Sequence, residues 1–510
     1  MHCTCRRIGR MLIVAVAVMT GAEALAADYS NPPQGVFVDE WMTMEMGGNR
    51  VGYVHVEISR TGDVIYTSNL ASMSLKRMNS PVKIMQLQTS EESLDGTPRA
   101  FSSQMDASVQ KMIVSGRIEA GKVHVTSKQF GEPTTATYDY PAGALMSWGT
   151  YLEQHKHGFK PGTQYDLTVY EPSMAADIPV SMSIAIGEKE SIDLNGETVE
   201  AIRTKQVMKL PNFPTGLETT AWIDVEGNVL KSSLPMMGVE TVMTRTTKEE
   251  ALADFAPPEF FAPTTIPARK PINRAKSTEI EYVLRLKNGD GELPPIPTTG
   301  MQTPTRQEDG SVKLVVKRMD HESLAKVTKP IDAKKYAEFL GSNPMINSDD
   351  EAVQKMAAKA RGTATTPYAI ADNLRRYVSE VIEDKNLDVG FASASEVCRN
   401  KQGDCSEHGV LLAALGRACG LPSRVVVGVV YVPVFGGEEN IFGFHMWTQF
   451  LIGDQWVDFD AAQNETDCNA THIAFSVASL RDAGLGQLVF GLMNVIGNLD
   501  IEIERIEAGT

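Results

Sequence analysis

Between Gly403 and Asp460 the hydrophobic period of the chain switches from helical to alternating, and little else in the sequence restricts the fold as tightly. The first part reads GDCSEHGVLLAALGRACGLP. Asp404 suits an N-cap, Glu407 follows three residues later as in a capping box, and Val410, Leu411, Ala414, Leu415 and Ala418 make an apolar stripe. Gly420 and Pro422 stop the helix. Cys405 then falls at the first helical position, where unpaired backbone N–H groups and the positive end of the helix dipole favour an anionic sulfur. His408 is expected to lie exposed one turn further on.

The second part reads as strands. Ser423–Tyr431 is rich in Val, His445–Ile452 and Gln455–Asp460 follow a short Gly-rich loop, and Gly453-Asp454 is a hairpin signal. A two-residue turn there sets Asp460 opposite Trp447 and makes His445 its diagonal neighbour on the same face. Asp458, opposite Gln449, shares that face and is a rival partner for the imidazole, although the register puts Asp460 nearer and leaves Asp458 facing polar neighbours or solvent. A thiol, an imidazole and a carboxylate in this order can serve as nucleophile, base and orienter. Taken singly, each reads as a buried small Cys, a satisfied core His or a solvated Asp. Order, spacing and flanks agreeing together favour the catalytic reading.

These residues also carry a resemblance. GDCSEHGVLLAALGRACGLPSRVVVG, followed by His445-Met446-Trp447 and by Trp456–Asp460, resembles the core of the transglutaminase-like superfamily over roughly Thr366 to Asp460. The resemblance implies an α+β catalytic core, papain-like or transglutaminase-like, with helices packed on an antiparallel sheet. It implies Cys405 as nucleophile, His445 as general base and acid, and Asp460 as the carboxylate that orients the imidazole, with no such role for Asp458. Met446 stands where the pattern usually has Ala, and Ala461-Ala462 where Pro-Thr is common; neither removes a catalytic group.

A chain of 510 residues has length for more than one domain. Residues 28–254 read as an antiparallel β-rich domain, with alternating runs such as Val51–Ile58, Lys122–Ser127 and Val180–Ile186 between turns such as Asn195-Gly196. Ala144–His155 is the one helical pattern there, and the whole weakly resembles curved-sheet exported domains related to lipoprotein carriers. Glu153, His155 and His157 read as a solvated helix end, not a metal site. Prolines at 257, 258, 263, 267 and 271 mark residues 255–275 as a linker. Residues 276–330 read as a small β module or an extension of the core, and 331–510 as the catalytic domain. Helical patterns at Ala333–Leu340, Asp349–Ala360 and Pro367–Asp384 would pack behind the nucleophile helix, with His472–Phe475 structural and Leu499–Glu504 a last strand.

Residues 1–27 read as a secretory signal peptide. Arg6, Arg7 and Arg10 precede a nine-residue apolar core, Met11–Met19, and Ala24-Leu25-Ala26 is a small-residue cleavage signal. Nine apolar residues are too few to span a bilayer, so stable membrane insertion is not expected. Removing the three arginines and Glu23 takes the formal charge from −16 to −18. Nothing forms a basic stripe, so nucleic acid is not an expected partner. The exported chain keeps Cys398, Cys405, Cys419 and Cys468, which allows at most one disulfide beside a free nucleophile. Cys398, Cys405, His408 and Cys468 match no zinc spacing.

The expected activity is acyl transfer at amide bonds of peptides or proteins of the cell envelope, periplasmic or secreted, by hydrolysis or transamidation. It needs no metal and no cofactor. The Cys405 backbone N–H is one expected oxyanion donor and Gln402 or Asn400 the second. The alternative is a catalytically silent exported scaffold or binding protein on the same core.

Overall fold

The computed structural model describes residues 31–509 except 78–79, 108–109, 129–132, 173–178, 211–212, 237–238, 260–264, 288–292, 330, 384–391, 436, 464–467 and 481–494. Residues 1–27, expected as a signal peptide, lie outside the described residues. The chain divides into two compact units, Met1–Glu259 and Phe260–Thr510. Among the described residues no helix is long and apolar enough to cross a membrane.

Among the described residues of the first unit, fourteen strands form one antiparallel sheet. Gly35–Met46 pairs with Val239–Thr246 at its middle, and hairpins run outwards in chain order to Thr134–Asp139 on one side and in reverse chain order to Gln164–Val169 on the other. Alternation does the work expected of it. Lys122–Lys128 buries every second residue, and Val180–Ile186 buries Val180, Met182, Ile184 and Ile186. Asn195 and Gly196 both take positive φ in the turn between Val180–Leu194 and Glu197–Leu210, which two-residue hairpins require. The backbone of Leu145 bonds to Thr168 and Tyr170, so the segment leaving one end of the sheet meets the strand at the other end.

The long helix among the described residues of this unit, Ser147–His157, begins three residues after the expected Ala144. Met146 at its N-cap has no capping side chain. Glu92, fully buried on the strand Ser80–Ser93, replaces it by accepting the Trp148 and Gly149 N–H groups at 2.7 and 2.9 Å. Burial pushes the Glu92 carboxyl up to about 7 against these bonds and one from the Ser90 hydroxyl. The helix then buries Trp148 and Tyr151 among Val38, Ile58 and Ile65.

The described residues of the second unit form two sheets and a group of helices. Ser423–Phe435 lies between Glu438–Ile452 and His472–Ala478, and Glu438–Ile452 carries Ile266–Pro267 and Gln455–Phe459 on its other side. Part of the proline-rich segment expected as linker is thus an edge strand: Ile266 and Pro267 pair with Phe442 and Ile441, where a missing N–H is tolerated. The second sheet runs Gln302–Arg306, Val312–Lys317, Ser277–Leu286, Leu499–Ala508. Residues 276–330 therefore join the last strand of the chain in a separate sheet.

Of the expected helices, the first is confined to Ala337–Leu340, while Glu351–Arg361 and Pro367–Val381 form with Asp350 and Thr366 as N-caps. Cys405–Ala418 is the centre of this unit. An apolar stripe was expected on it, but every residue from Ser406 to Arg417 is buried, so it is a core helix covered on all sides. Full burial of Val410, Leu411, Leu412 and Leu415 stabilises the unit by roughly 1.5–3 kcal/mol each. Gly416 lets the sheet come close, since a Cβ there would lie 2.0 Å from the Phe450 ring.

Candidate active site

The nucleophile helix starts as its sequence dictates. Asp404 caps it by accepting the Ser406 N–H at 2.8 Å, and Glu407 returns to the Asp404 N–H at 2.9 Å. Cys405 is thereby the first helical residue and stays partly exposed. Gly403 makes this start possible: its φ is +140°, and a Cβ would sit 2.3 Å from the Glu407 side chain. Glu407 is fully buried and also accepts the Ala392 N–H at 3.0 Å. Burial and the neighbouring Asp404 carboxylate push its carboxyl up to about 8. His408, expected in solvent, is buried because the helix is covered all round; its Nδ1 lies 2.6 Å from the Asp404 carbonyl oxygen.

The hairpin brings the other two groups to this point. Gly453 turns with φ +63°, and Thr448 pairs with Phe459 and Gln449 with Asp458, the register read from the sequence. Asp460 continues past the end of that ladder. His445 Nε2 donates to Asp460 Oδ2 at 2.8 Å, and the ring also hydrogen-bonds Cys405. With Nε2 committed to the carboxylate, Nδ1 is the nitrogen left for the sulfur. Asp460 is anchored by its own turn, where Oδ1 accepts the Ala462 and Gln463 N–H groups at 2.9 and 3.3 Å.

Electrostatics follow from burial and pairing. Burial by itself disfavours the His445 imidazolium, but the charges of Asp460 and Cys405 and the hydrogen bonds to both raise its pKa well above the usual histidine range. Burial would raise the Asp460 carboxyl; the His445 charge and the donors from His445 and His472 hold it well below the carboxylate range instead.

Asp458 was expected among polar neighbours or solvent. It is 3% exposed, and Oδ1 accepts the indole N–H of Trp447 at 2.5 Å and the Gln449 amide at 2.9 Å. It therefore fixes Trp447 and does not touch His445's ring. Gly428 allows that placement, since a Cβ there would lie 2.9 Å from the Trp447 indole and 2.0 Å from the Ile473 carbonyl oxygen. Asn400 ends the helix Ala394–Asn400 and Gln402 follows it, both exposed near the turn into Cys405.

Sequence reasoning missed His472, which it took as structural. Its Nε2 lies 3.2 Å from Asp460 Oδ2. Nothing in its spacing signals this, because the strand His472–Ala478 reaches the site only by pairing with Ser423–Phe435. Cys398, Cys419 and Cys468 form no disulfide with one another or with Cys405, and burial raises the thiols of Cys398 and Cys419.

Comparison with known proteins gives a family for this segment. The model of the transglutaminase-like superfamily matches residues 354–461. No curated protein matches the chain. Among solved structures, a candidate cysteine protease from Cytophaga hutchinsonii is 14% identical and covers 46% of this chain and 87% of its own, with a TM-score of 0.30. A β-barrel-like protein of a domain of unknown function from Brucella abortus is 12% identical over 42% of this chain and 96% of its own, TM-score 0.33. The periplasmic domain of TgpA from Pseudomonas aeruginosa is 15% identical over 38% and 77%, TM-score 0.26. The stretch that holds Cys405, His445 and Asp460, residues 354–461, is thus a core of the transglutaminase-like superfamily.

Proposed function

We propose that this chain is an exported cysteine-dependent acyl-transfer enzyme acting on amide bonds of peptides or proteins of the cell envelope. The observation that carries the reading is His445 held between Cys405 and Asp460, with its Nε2 2.8 Å from the carboxylate. A partly exposed thiol at a helix start, an imidazole stabilised as imidazolium and a buried ionised carboxylate are the parts nucleophilic acyl transfer needs. The family match supports an enzyme of this general type.

The reaction runs in two halves. The Cys405 sulfur attacks the amide carbon, the carbonyl oxygen takes the negative charge, and its collapse expels the amine, which leaves with a proton from His445. Water or a second amine then gives its proton to His445 and displaces the sulfur from the thioester, yielding an acid or a new amide. Asp460 stabilises the imidazolium throughout and fixes its tautomer. The Cys405 N–H is the first donor for the oxyanion, with Gln402 or Asn400 the second. Export rests on the basic, apolar and small-residue succession over residues 1–27.

The test is iodoacetamide labelling of the purified chain near neutral pH, read by peptide mapping. Cys405 should label faster than Cys398, Cys419 or Cys468, and Cys405→Ala should abolish both that label and amide turnover. Labelling of Cys405 no faster than of Cys419 would favour the silent scaffold instead.

A further inference from the structure

Two imidazoles converge on one carboxylate oxygen. Asp460 Oδ2 has Nε2 of His445 at 2.8 Å and Nε2 of His472 at 3.2 Å. His472 opens the strand His472–Ala478 and pairs with Val430 on one side of Ser423–Phe435, while His445 comes from the strand on its other side. The His472 ring is 2% exposed and stands edge-on to Trp447, ring centroids 5.2 Å apart. The reaction just described makes no use of it. We propose that His472 is a positioning residue: a second N–H donor that holds the Asp460 carboxylate in line with His445 and keeps its charge in the buried site. The proposal rests on the Cys405, His445 and Asp460 reading above.

The physical argument starts from the two oxygens of Asp460. Oδ1 is tied to its own turn by the Ala462 and Gln463 N–H groups. Oδ2 otherwise depends on His445, whose proton content changes during each turnover. A donor whose bond does not change in the cycle keeps the carboxylate plane fixed, and each N–H given to a buried carboxylate favours its ionised form.

His472 is suited to this by its other nitrogen. Nδ1 is buried without a hydrogen-bond partner, so the ring proton belongs on Nε2, where Asp460 accepts it. The same atom argues against a metal ion. The ligating atoms of His445, Asp460 and His472 lie within 4.8 Å of one another. A metal would take the Nε2 lone pair and force the His472 proton onto Nδ1, which has no acceptor, whereas metal-bound histidines almost always donate that proton.

Among the described residues, few charged groups face this pair. Cys405 on the nucleophile helix acts through His445, Asp458 on Gln455–Phe459 faces His472, and Arg424 on Ser423–Phe435 acts on Asp458. They surround both the wild-type site and its variants in the same way, which makes the donor itself testable.

The experiment is the pH dependence of Cys405 alkylation by iodoacetamide in the exported chain, with the melting temperature measured alongside. His472→Phe keeps an aromatic ring against Trp447 and removes the donor. His472→Gln places an amide N–H near the position of Nε2, and His472→Asn places one too short to reach Oδ2. Taking a donor from an anionic cluster raises its affinity for protons, so the acid limb of the profile should move up by about one pH unit in the Phe and Asn variants. The Gln variant should return it most of the way. An unmoved limb in both Phe and Asn variants, with only a lower melting temperature, would make His472 a core residue and overturn the proposal. Should the Phe variant fail to fold, equal limbs in Gln and Asn variants would overturn it as well. A wild-type chain with no acid limb at all would defeat the triad reading first, and this proposal with it.

Discussion

Asp458 and Asp460 lie two residues apart and meet different partners, and substitution should separate them. Asp460 accepts His445 and His472, so Asp460→Asn is expected to lower amide turnover by about 10²–10⁴-fold in a chain that still folds. Asp458 accepts Trp447 and Gln449 in a fully buried site. Asp458→Asn should keep the acid limb of Cys405 alkylation in place but destabilise the fold by about 1–3 kcal/mol in urea unfolding, because an amide cannot accept both N–H groups as well. A larger loss of turnover in the Asp458 variant, at equal stability, would move the orienting role to it. Cys405, His445 and Asp460 were legible in the sequence because helix start and hairpin register are local rules. His472 was not, since no local rule connects it to Asp460.

At the scale of elements, two buried carboxyls hold helix starts. Glu407 closes the capping box of Cys405–Ala418, with its carboxyl raised from 4.5 to about 8. A raised carboxyl pKa means that the folded state binds more protons than the unfolded one between these values, so stability falls as pH rises through that window. Glu407→Gln keeps an acceptor for the backbone and a donor towards Asp404. It is expected to flatten this dependence and to be the more stable chain at pH 8 by on the order of 1–3 kcal/mol, read by thermal melts at pH 5 and pH 8. Melts with the same pH slope in both chains would show that Glu407 is ionised in the fold. Glu92 caps Ser147–His157 from a different strand, and Glu92→Ala should cost about 1–3 kcal/mol by leaving two buried N–H groups without an acceptor. The capping box of Glu407 follows from i to i+3 spacing. The Glu92 cap joins residues more than fifty positions apart, and the helix end was accordingly misplaced in the sequence reading.

At the scale of the whole molecule, the chain parts between Glu259 and Phe260, and the segment just before, Leu252–Ala256, is largely exposed. Limited proteolysis should cut there first and leave two stable fragments, the larger-numbered one carrying Cys405. The proline-containing segment 293–299 should resist, because Arg306 bonds the buried Leu293 carbonyl and Gln302 bonds that of Pro297. Early cleavage at 293–299 in mass-mapped digests would contradict this. What the sequence determined by itself is what short-range chemistry controls: the capped start at Cys405, the Gly453-Asp454 turn and the alternation of the first unit. Tertiary structure alone decided that Ile266–Pro267 completes a sheet edge, that Ser277–Leu286 finds its partner in Leu499–Ala508, and that His472 reaches Asp460. Hydrophobic period and turn residues state which face a segment buries, but many distant strands offer the same backbone hydrogen bonds and equally apolar faces. Only simultaneous packing of the strands against one another and against the helices selects one pairing.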